Sequence, residues 1–327
     1  MIEVQFTYPS RGAGRPQILL IGNGLEYSSG QKSWGELVDE LTVADALPIT
    51  NKQKRDLPFP LLYQVLSTHS PAPSQLTEVD ILDEEKRLAN AIHKLVHSTN
   101  EYLDILPMLD ADHIMTTNYS YCLERAFYPD ADFRKPYVRN SHRFRTAKNP
   151  TTGKTLMEKE YRLHSGYLAQ SVTRKTGIWH IHGECAVPRG IVLGHDRYGR
   201  LLQRVEHKCS MLRYRGDPKE ISLQTYVSWP ELFLHGDVYI LGLSLEPNEF
   251  DLWWLIRRKQ RERYSDGRIY FYERRPENGY EEAKHLLMKS SGIELCDVGC
   301  TTKTDYDTFY KVALSDIKQR IAGSRNR

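Results

Sequence analysis

Two histidines stand two positions apart in the segment 176–184, TGIWHIHGE, and a glycine follows the second. Side chains at positions i and i+2 of a strand point to the same side, so His180 and His182 could act as a pair. Imidazole binds metal ions and transfers protons near neutral pH. A zinc site needs a third ligand, and no other His or Cys lies at a helpful spacing. The pattern therefore favours either a proton-transferring histidine at a strand end or two histidines packed in a core.

Three other apolar segments also lead into small or polar residues. These residues are Gly22-Asn23-Gly24, Thr116-Thr117-Asn118 and Gly242-Leu243-Ser244. In open α/β sheets, ligands bind beyond the carboxyl ends of the strands, so we expect all four segment ends to line one pocket. A Gly-x-Gly turn lets the backbone approach a phosphate, but this one lacks the third glycine of the full dinucleotide fingerprint. A tight turn without a ligand would show the same residues.

Strands that alternate with helices would position these groups, which indicates an α/β fold built on a parallel sheet. The predicted strands are 17–21, 113–117, 178–182, 191–193, 237–243, 268–272 and 293–298. The predicted helices are 33–41, 76–108, a segment that starts at Asn118, a segment through 252–256, and 306–321. Ser33 and Glu36 match the capping box that begins a helix.

Composition argues against several classes of protein. No apolar run approaches the roughly 18 residues that a membrane-spanning helix needs, and the mean hydropathy is −0.56. The five cysteines include no C-x-x-C pair, so one chain cannot build a four-cysteine zinc ribbon. Unpaired cysteines and the lack of an apolar leader predict a cytoplasmic protein. A net charge of +3 does not favour nucleic-acid binding, although the basic segment 134–154 leaves such contact open.

Several blocks, in this order, resemble the SIR2-like family: LLIGNGL, SW-x-ELV, IMTTNYSYCLE, IWHIHGE with IVLGHDRYG, and YILGLSLEPNEFDLWWL. They resemble its bacterial antiphage branch more than the zinc-containing deacetylases. The resemblance implies one Rossmann-like domain over 1–327, with a helical insertion at 45–110 and a basic loop or flap at 130–176. It also implies an NAD+ hydrolase that releases nicotinamide and ADP-ribose in antiphage defence, as a homo-oligomer or with a partner defence subunit.

The resemblance also assigns site residues. Asn118 and His182 are catalytic, and no zinc is bound. The residues expected to bind NAD are Gly22, Asn23, Gly24, Thr117, Ser120, Gly242 and Ser244. Several positions depart from the family. Ser120 stands where many members have an aspartate that helps to hold the nicotinamide amide, and Asn23 and Leu25 replace the usual residues of the first loop. Glu184 likewise replaces a common serine.

The chemistry suits these assignments. Nicotinamide leaves as a neutral amide, so His182 need only take a proton from water or a ribose hydroxyl while Asn118 positions the reacting groups. Two alternatives stay open: a non-catalytic NAD or ADP-ribose sensor, and a deacylase or ADP-ribosyltransferase.

The helix with Trp253, Trp254 and its arginines is interpreted as core packing with a solvated basic end, or as a subunit interface.

Overall fold

The computed structural model describes residues 15–27, 33–68, 78–94, 98–129, 143–145, 161–213, 228–262, 265–276, 278–299 and 305–325. Within these ranges the chain forms an eight-stranded sheet in the order β3-β4-β5-β2-β1-β6-β7-β8. The strands are β1 (Gln17–Ile21), β2 (His113–Thr116), β3 (Arg143–Arg145), β4 (Ser165–Gln170), β5 (Lys175–His180), β6 (Asp237–Leu241), β7 (Ile269–Tyr272) and β8 (Ile293–Cys296). Only the β3–β4 and β4–β5 pairs are antiparallel, so the predicted α/β, Rossmann-like fold is confirmed.

Eleven α-helices flank this sheet in the described parts of the chain. They are α1 (Asn23–Tyr27), α2 (Trp34–Glu40), α3 (Asn51–Asp56), α4 (Phe59–Ser67), α5 (Glu78–His93), α6 (Cys122–Phe127), α7 (His195–Arg213), α8 (Trp229–His235), α9 (Phe250–Glu262), α10 (Gly279–Ser290) and α11 (Tyr306–Arg325). The predicted capping box of α2 is confirmed, since the backbone N–H of Ser33 donates to Glu36 and the backbone N–H of Glu36 donates to Ser33. None of the described helices is long and apolar enough to cross a membrane.

The central strand β1 is buried on both faces. Leu19 and Ile21 belong to one apolar cluster, and Ile18 and Leu20 belong to a second. Alternate residues of a strand point to opposite faces, so the two clusters lie on the two sides of the sheet. This arrangement explains why β1 has an uninterrupted apolar sequence, as strands covered by helices on both faces do.

The prediction of one helix over 76–108 is wrong for the second half of that segment. α5 ends at His93, and the chain later turns at Asn100, whose side-chain oxygen accepts hydrogen bonds from the backbone N–H groups of Tyr102 and Leu103 at 3.0 and 2.9 Å. Such side-chain bonds compete with helical bonds. A short 3₁₀ helix, Leu106–Leu109, follows. The segment 45–110 thus contributes α3, α4 and α5, and its interpretation as an insertion stays a prediction.

Two shorter predictions also fail. The segment 191–193 lies within the described residues and forms no strand, because its apolar side chains are buried by packing rather than by pairing in the sheet. The segment is linked to the site by two hydrogen bonds. The backbone N–H of Val192 donates to the carbonyl of His182 at 2.8 Å, and the Tyr119 hydroxyl donates to the carbonyl of Val192 at 2.8 Å. The helix predicted to start at Asn118 begins instead at Cys122. Apart from β3, the basic segment 134–154 lies outside the described residues.

The tryptophans of α9 are partly buried against the apolar core. The Trp253 indole N–H donates to the carbonyl of Glu246 at 3.0 Å, and the Arg258 guanidinium lies over the Trp254 ring, 4.8 Å from its centroid. These contacts agree with core packing. A role in a subunit interface stays a prediction.

A buried lysine holds the end of α8. The ammonium group of Lys259 donates to the carbonyls of Phe233, Leu234 and Gly236 at 3.0, 3.0 and 2.6 Å. The last carbonyls of a helix have no donor within the helix. Lys259 supplies hydrogen-bond donors to these carbonyls of α8. Burial lowers the pKa of Lys259 to about 7.

We expect Lys259→Met to lower the free energy of unfolding by about 1–3 kcal/mol, because it leaves buried carbonyls without a donor. The folded-state pKa lies below the unfolded value, so the free energy of unfolding of the wild type should rise relative to the variant between about pH 7 and pH 10. Urea unfolding across this range measures both effects. The control is Arg261→Met, which alters an exposed residue of the same helix. An equal loss of unfolding free energy in both variants would contradict the role of Lys259 at the end of α8.

Candidate functional site

The strand ends singled out in the sequence lie side by side at one edge of the sheet. In the register of the parallel strands, Ile21 pairs with both Thr116 and Leu241, and Thr116 pairs with His180. The last residues of β6, β1, β2 and β5 therefore form one row. The polar residues that follow these four positions all emerge at the same edge, which is where open α/β sheets bind ligands.

The glycines after β1 are required by chain packing. A Cβ atom at Gly22 would lie 2.4 Å from the carbonyl oxygen of Gly242, and one at Gly24 would lie 2.9 Å from the same oxygen. The backbone N–H groups of Gly22 and Gly24 donate to the carbonyls of Leu241 and Gly242 at 3.1 and 2.8 Å. These contacts join the turn after β1 to the turn after β6 and account for both glycines without a ligand. Their role with pyrophosphate stays a prediction.

The Asn118 side chain is buried, with 4% of its surface exposed. Neither its oxygen nor its nitrogen has a hydrogen-bond partner within 3.5 Å among the described residues, although the amide is close enough to the Glu26 carboxyl group to lower the pKa of that group. Buried polar groups without partners are rare, because each costs free energy. The amide is thus free to hydrogen-bond a ligand that enters beside it.

A carboxyl group that was not singled out in the sequence lies next to this amide. The Ser120 hydroxyl donates to Glu26 of α1 at 2.5 Å. Burial raises the pKa of Glu26 to about 7, and the Ser120 hydroxyl and then the Asn118 amide oppose that rise. Position 120 lacks the aspartate that the resemblance leads one to expect, and Glu26 brings a carboxyl group against it from a different element.

His180, the last residue of β5, supports the loop 117–121, which carries Asn118. Its Nδ1 lies 2.8 Å from the Asn118 carbonyl, and its Nε2 lies 2.8 Å from a carboxylate oxygen of Glu124. Burial lowers the pKa of His180, but the Glu124 carboxylate outweighs burial and raises it to about 9. With both nitrogens donating, this ring has no lone pair for a proton or a metal ion.

His182 lies in a different environment because the chain leaves β5 after His180. Gly183 has φ +97°, and a Cβ there would lie 2.3 Å from the carbonyl oxygen of Gly190. Only glycine fits this sharp turn. The backbone N–H groups of Ile181 and Cys185 donate to the carbonyls of Thr116 and Tyr119, both at 2.9 Å, so the histidine turn and the Asn118 loop are joined directly.

The His182 ring is 2% exposed and its Nε2 lies 2.9 Å from Oδ2 of Asp251. Burial lowers the pKa of His182, but the Asp251 charge outweighs it and the net shift is upward. The edge of Tyr198 packs on the ring, with the centroids 5.4 Å apart. Glu249 lies nearby, and burial raises its pKa to about 7.

His182, Glu249 and Asp251 could also hold a metal ion, since one ligand atom from each lies within 4.8 Å of the others. The sequence search for a third ligand considered only His and Cys and missed these carboxylates. A histidine with two carboxylates suits a divalent cation. The predicted absence of zinc therefore stays a prediction.

Ser244, another residue predicted to bind NAD, lies beyond the end of β6. The carbonyl of Ser244 accepts a hydrogen bond from Lys284 at 3.0 Å, and Lys284 also donates to Glu273 at 3.0 Å. Glu273 lines a cleft of about 250 Å³ together with Arg274, Arg275 and His285. Glu184, on the other side, accepts from Tyr121 at 2.9 Å.

We expect Gly22→Ala to lower the free energy of unfolding by about 1–3 kcal/mol, because the new methyl group meets a backbone oxygen that cannot rotate away. Gly35→Ala on α2 is the matched control, since only one atom, 3.9 Å away, lies near its Cβ position. The control should be neutral or stabilising by up to about 1 kcal/mol. Urea unfolding without NAD+ compares the two, and an unaffected Gly22→Ala protein would refute the packing explanation.

The comparison with known proteins agrees with this geometry. No curated protein matches the chain. The SIR2-like domain model matches residues 112–296, which is more than half of the chain and includes Asn118, His182 and Asp251. Proteins with this domain are commonly NAD-dependent enzymes. The matched region contains the ends of β2, β5 and β6, the Asn118 loop and the turn with His182. The chain belongs to the SIR2-like domain family.

Proposed function

We propose that the protein is an NAD+ hydrolase that releases nicotinamide and ADP-ribose and acts as a cytoplasmic effector in bacterial antiphage defence. The observation that carries the proposal is the unpartnered amide of Asn118 at the sheet edge, in a loop bonded directly to the His182 turn. The family supports NAD as the ligand. The defence role rests on the resemblance of the sequence blocks to the antiphage branch.

The proposed reaction needs little acid catalysis. Cleavage of a glycosidic bond passes through an oxocarbenium-like ribose, and nicotinamide departs as a neutral amide. The protein must hold the ribose, exclude stray water and take one proton from the attacking water or a ribose hydroxyl. Asn118 can both donate and accept hydrogen bonds but cannot act as a base, so the proton goes to His182.

The rest of NAD+ would lie along the row of strand ends. In this proposal the pyrophosphate meets the turn Gly22-Asn23-Gly24, and Thr117 and Ser120 lie beside the nicotinamide ribose. The adenosine half reaches Gly242 and Ser244. The cleft lined by Glu273 adjoins Ser244 through Lys284, which supports this direction of binding.

The first test is nicotinamide release from NAD+ by the purified protein with no acceptor present. Release at a steady rate supports a hydrolase. Binding of NAD+ without release would point to a sensor, and release only with an added peptide or protein acceptor would point to a transferase or deacylase. Measuring the mass of the assembly in solution tests the proposed homo-oligomer or partner subunit.

We expect His182→Ala to reduce the rate of nicotinamide release by at least about 10²-fold, because the variant lacks the side chain that takes the proton in the proposed step. NAD+ binding, measured by calorimetry, should change little. His207→Ala, which removes an exposed histidine of α7, should keep full activity. A folded His182→Ala protein with normal turnover would remove His182 from the mechanism.

We expect Asn118→Ala to lower kcat by about 10²-fold with a much smaller change in KM, because positioning acts mainly in the transition state. The ligand-free variant should be at least as stable as the wild type, since the lost amide has no hydrogen-bond partner to leave behind.

Asn51→Ala, at an exposed position of α3, is the control for loss of an amide. Steady-state kinetics and thermal unfolding of both variants make the comparison. A large loss of stability in Asn118→Ala would mean that the amide is structural, and unchanged kcat would contradict the positioning role.

A further inference from the structure

Asp251 is a fully buried carboxylate whose only hydrogen-bond or ion-pair partner among the described residues is His182. Its second oxygen, Oδ1, is buried without a partner. Asp251 lies in the first turn of α9, where the helix dipole favours a negative charge. Leu252 and Leu255, both fully buried, fix this turn in the core. The carboxylate is therefore held rigidly.

The bond to Asp251 determines which nitrogen of His182 can accept a proton. An ionised carboxylate only accepts hydrogen bonds, so Nε2 must carry the hydrogen. Among the described residues, Nδ1 of the same ring has no hydrogen-bond partner. The edge contact with Tyr198 limits rotation of the ring. The neutral imidazole is thereby held in one tautomer and one orientation.

We propose that Asp251 is a positioning residue for the cleavage of NAD+, which holds His182 with Nε2 protonated and leaves Nδ1 to take the proton of the attacking water or ribose hydroxyl. The inference rests on the proposed function. In the step, the ribose–nicotinamide bond breaks and nicotinamide leaves with the bonding electron pair. The oxygen of water bonds to the same ribose carbon, and its proton passes to Nδ1 directly or through a ribose hydroxyl. Asp251 touches no reacting atom and stabilises the imidazolium that forms.

The charged and titratable groups that face His182 come from two elements. Asp251 and Glu249 lie on α9 and just before it, and Tyr198 lies on α7, where its hydroxyl donates to Glu249 at 3.3 Å. Both carboxylates favour the imidazolium, and Asp251 acts more strongly on the ring than Glu249 does. Without the Asp251 charge, burial dominates, and the pKa of His182 should fall.

The test is the pH profile of nicotinamide release by Asp251→Asn, which keeps the shape of the side chain and removes its charge. We expect kcat to fall by about 10²-fold or more with KM within about threefold of the wild type. The acid limb of the profile, which reports deprotonation of His182, should move to lower pH. Asp196→Asn is the matched control, since Asp196 is an exposed acid in the first turn of α7, and it should leave the limb unchanged.

A second measurement keeps the inference testable if Asp251→Asn does not fold. Titration of the His182 ring in the wild type by NMR should give a pKa above the ordinary value and an Nε2–H tautomer. An Nδ1–H tautomer, or an acid limb that does not move in folded Asp251→Asn, would overturn the inference. So would loss of activity in EDTA with recovery in zinc or manganese, because His182 would then be a metal ligand.

Failure of the proposed function gives a different result from failure of this inference. A wild type that binds NAD+ but releases no nicotinamide refutes the hydrolase, and with it the role of Asp251 in cleavage, whatever the NMR titration shows. A wild type that turns over NAD+, together with Asp251→Asn of equal kcat and an unchanged acid limb, refutes only the role of Asp251.

Discussion

The close contact between the turn after β1 and the turn after β6 determines where every other part of the site can lie. Gly22 and Gly24 donate to the carbonyls that end β6, and no side chain fits between the two turns. With β1 held there, the parallel register places Thr116 and then His180 in the same row. Two backbone hydrogen bonds then join the turn with His182 to the end of β2 and to the loop with Asn118. Backbone contacts thus determine the positions of the strand ends, and these positions determine where the side chains of the site begin.

The two histidines show how one sequence pattern can separate into two roles. A period of two predicts that both rings share a face, but β5 ends at His180 and the chain turns at Gly183. His180 then pairs with Glu124, and His182 pairs with Asp251. Because a buried carboxylate raises the pKa of each ring against the effect of burial, the partners rather than the spacing determine what each histidine can do.

Six of the strands (β1, β2, β5, β6, β7 and β8) were predicted, because apolar runs and glycine turns are local signals. The antiparallel strands β3 and β4 were not predicted, and 191–193 was wrongly predicted as a strand. The helix over 76–108 was predicted too long, because α5 ends at His93 and no Gly or Pro separates it from the turn that begins at Asn100. The carboxylates of the site were missed for a different reason. Asp251 is 69 positions from His182, and Glu26 is 94 positions from Ser120. Pairs at such separations follow from the topology of the sheet, and nothing in a single sequence marks them.

The unpartnered amide of Asn118 links occupancy of the site to the folding equilibrium. A buried polar group without a partner makes the empty protein less stable than it could be, and a ligand that bonds to the amide returns that free energy along with its own binding energy. Ligand binding stabilises a fold in proportion to the logarithm of ligand concentration over its dissociation constant. With NAD+ as that ligand, as proposed, the enzyme consumes the molecule that protects it from unfolding. Once NAD+ has been depleted, the protein would be present mainly in its ligand-free form, which has the lower free energy of unfolding.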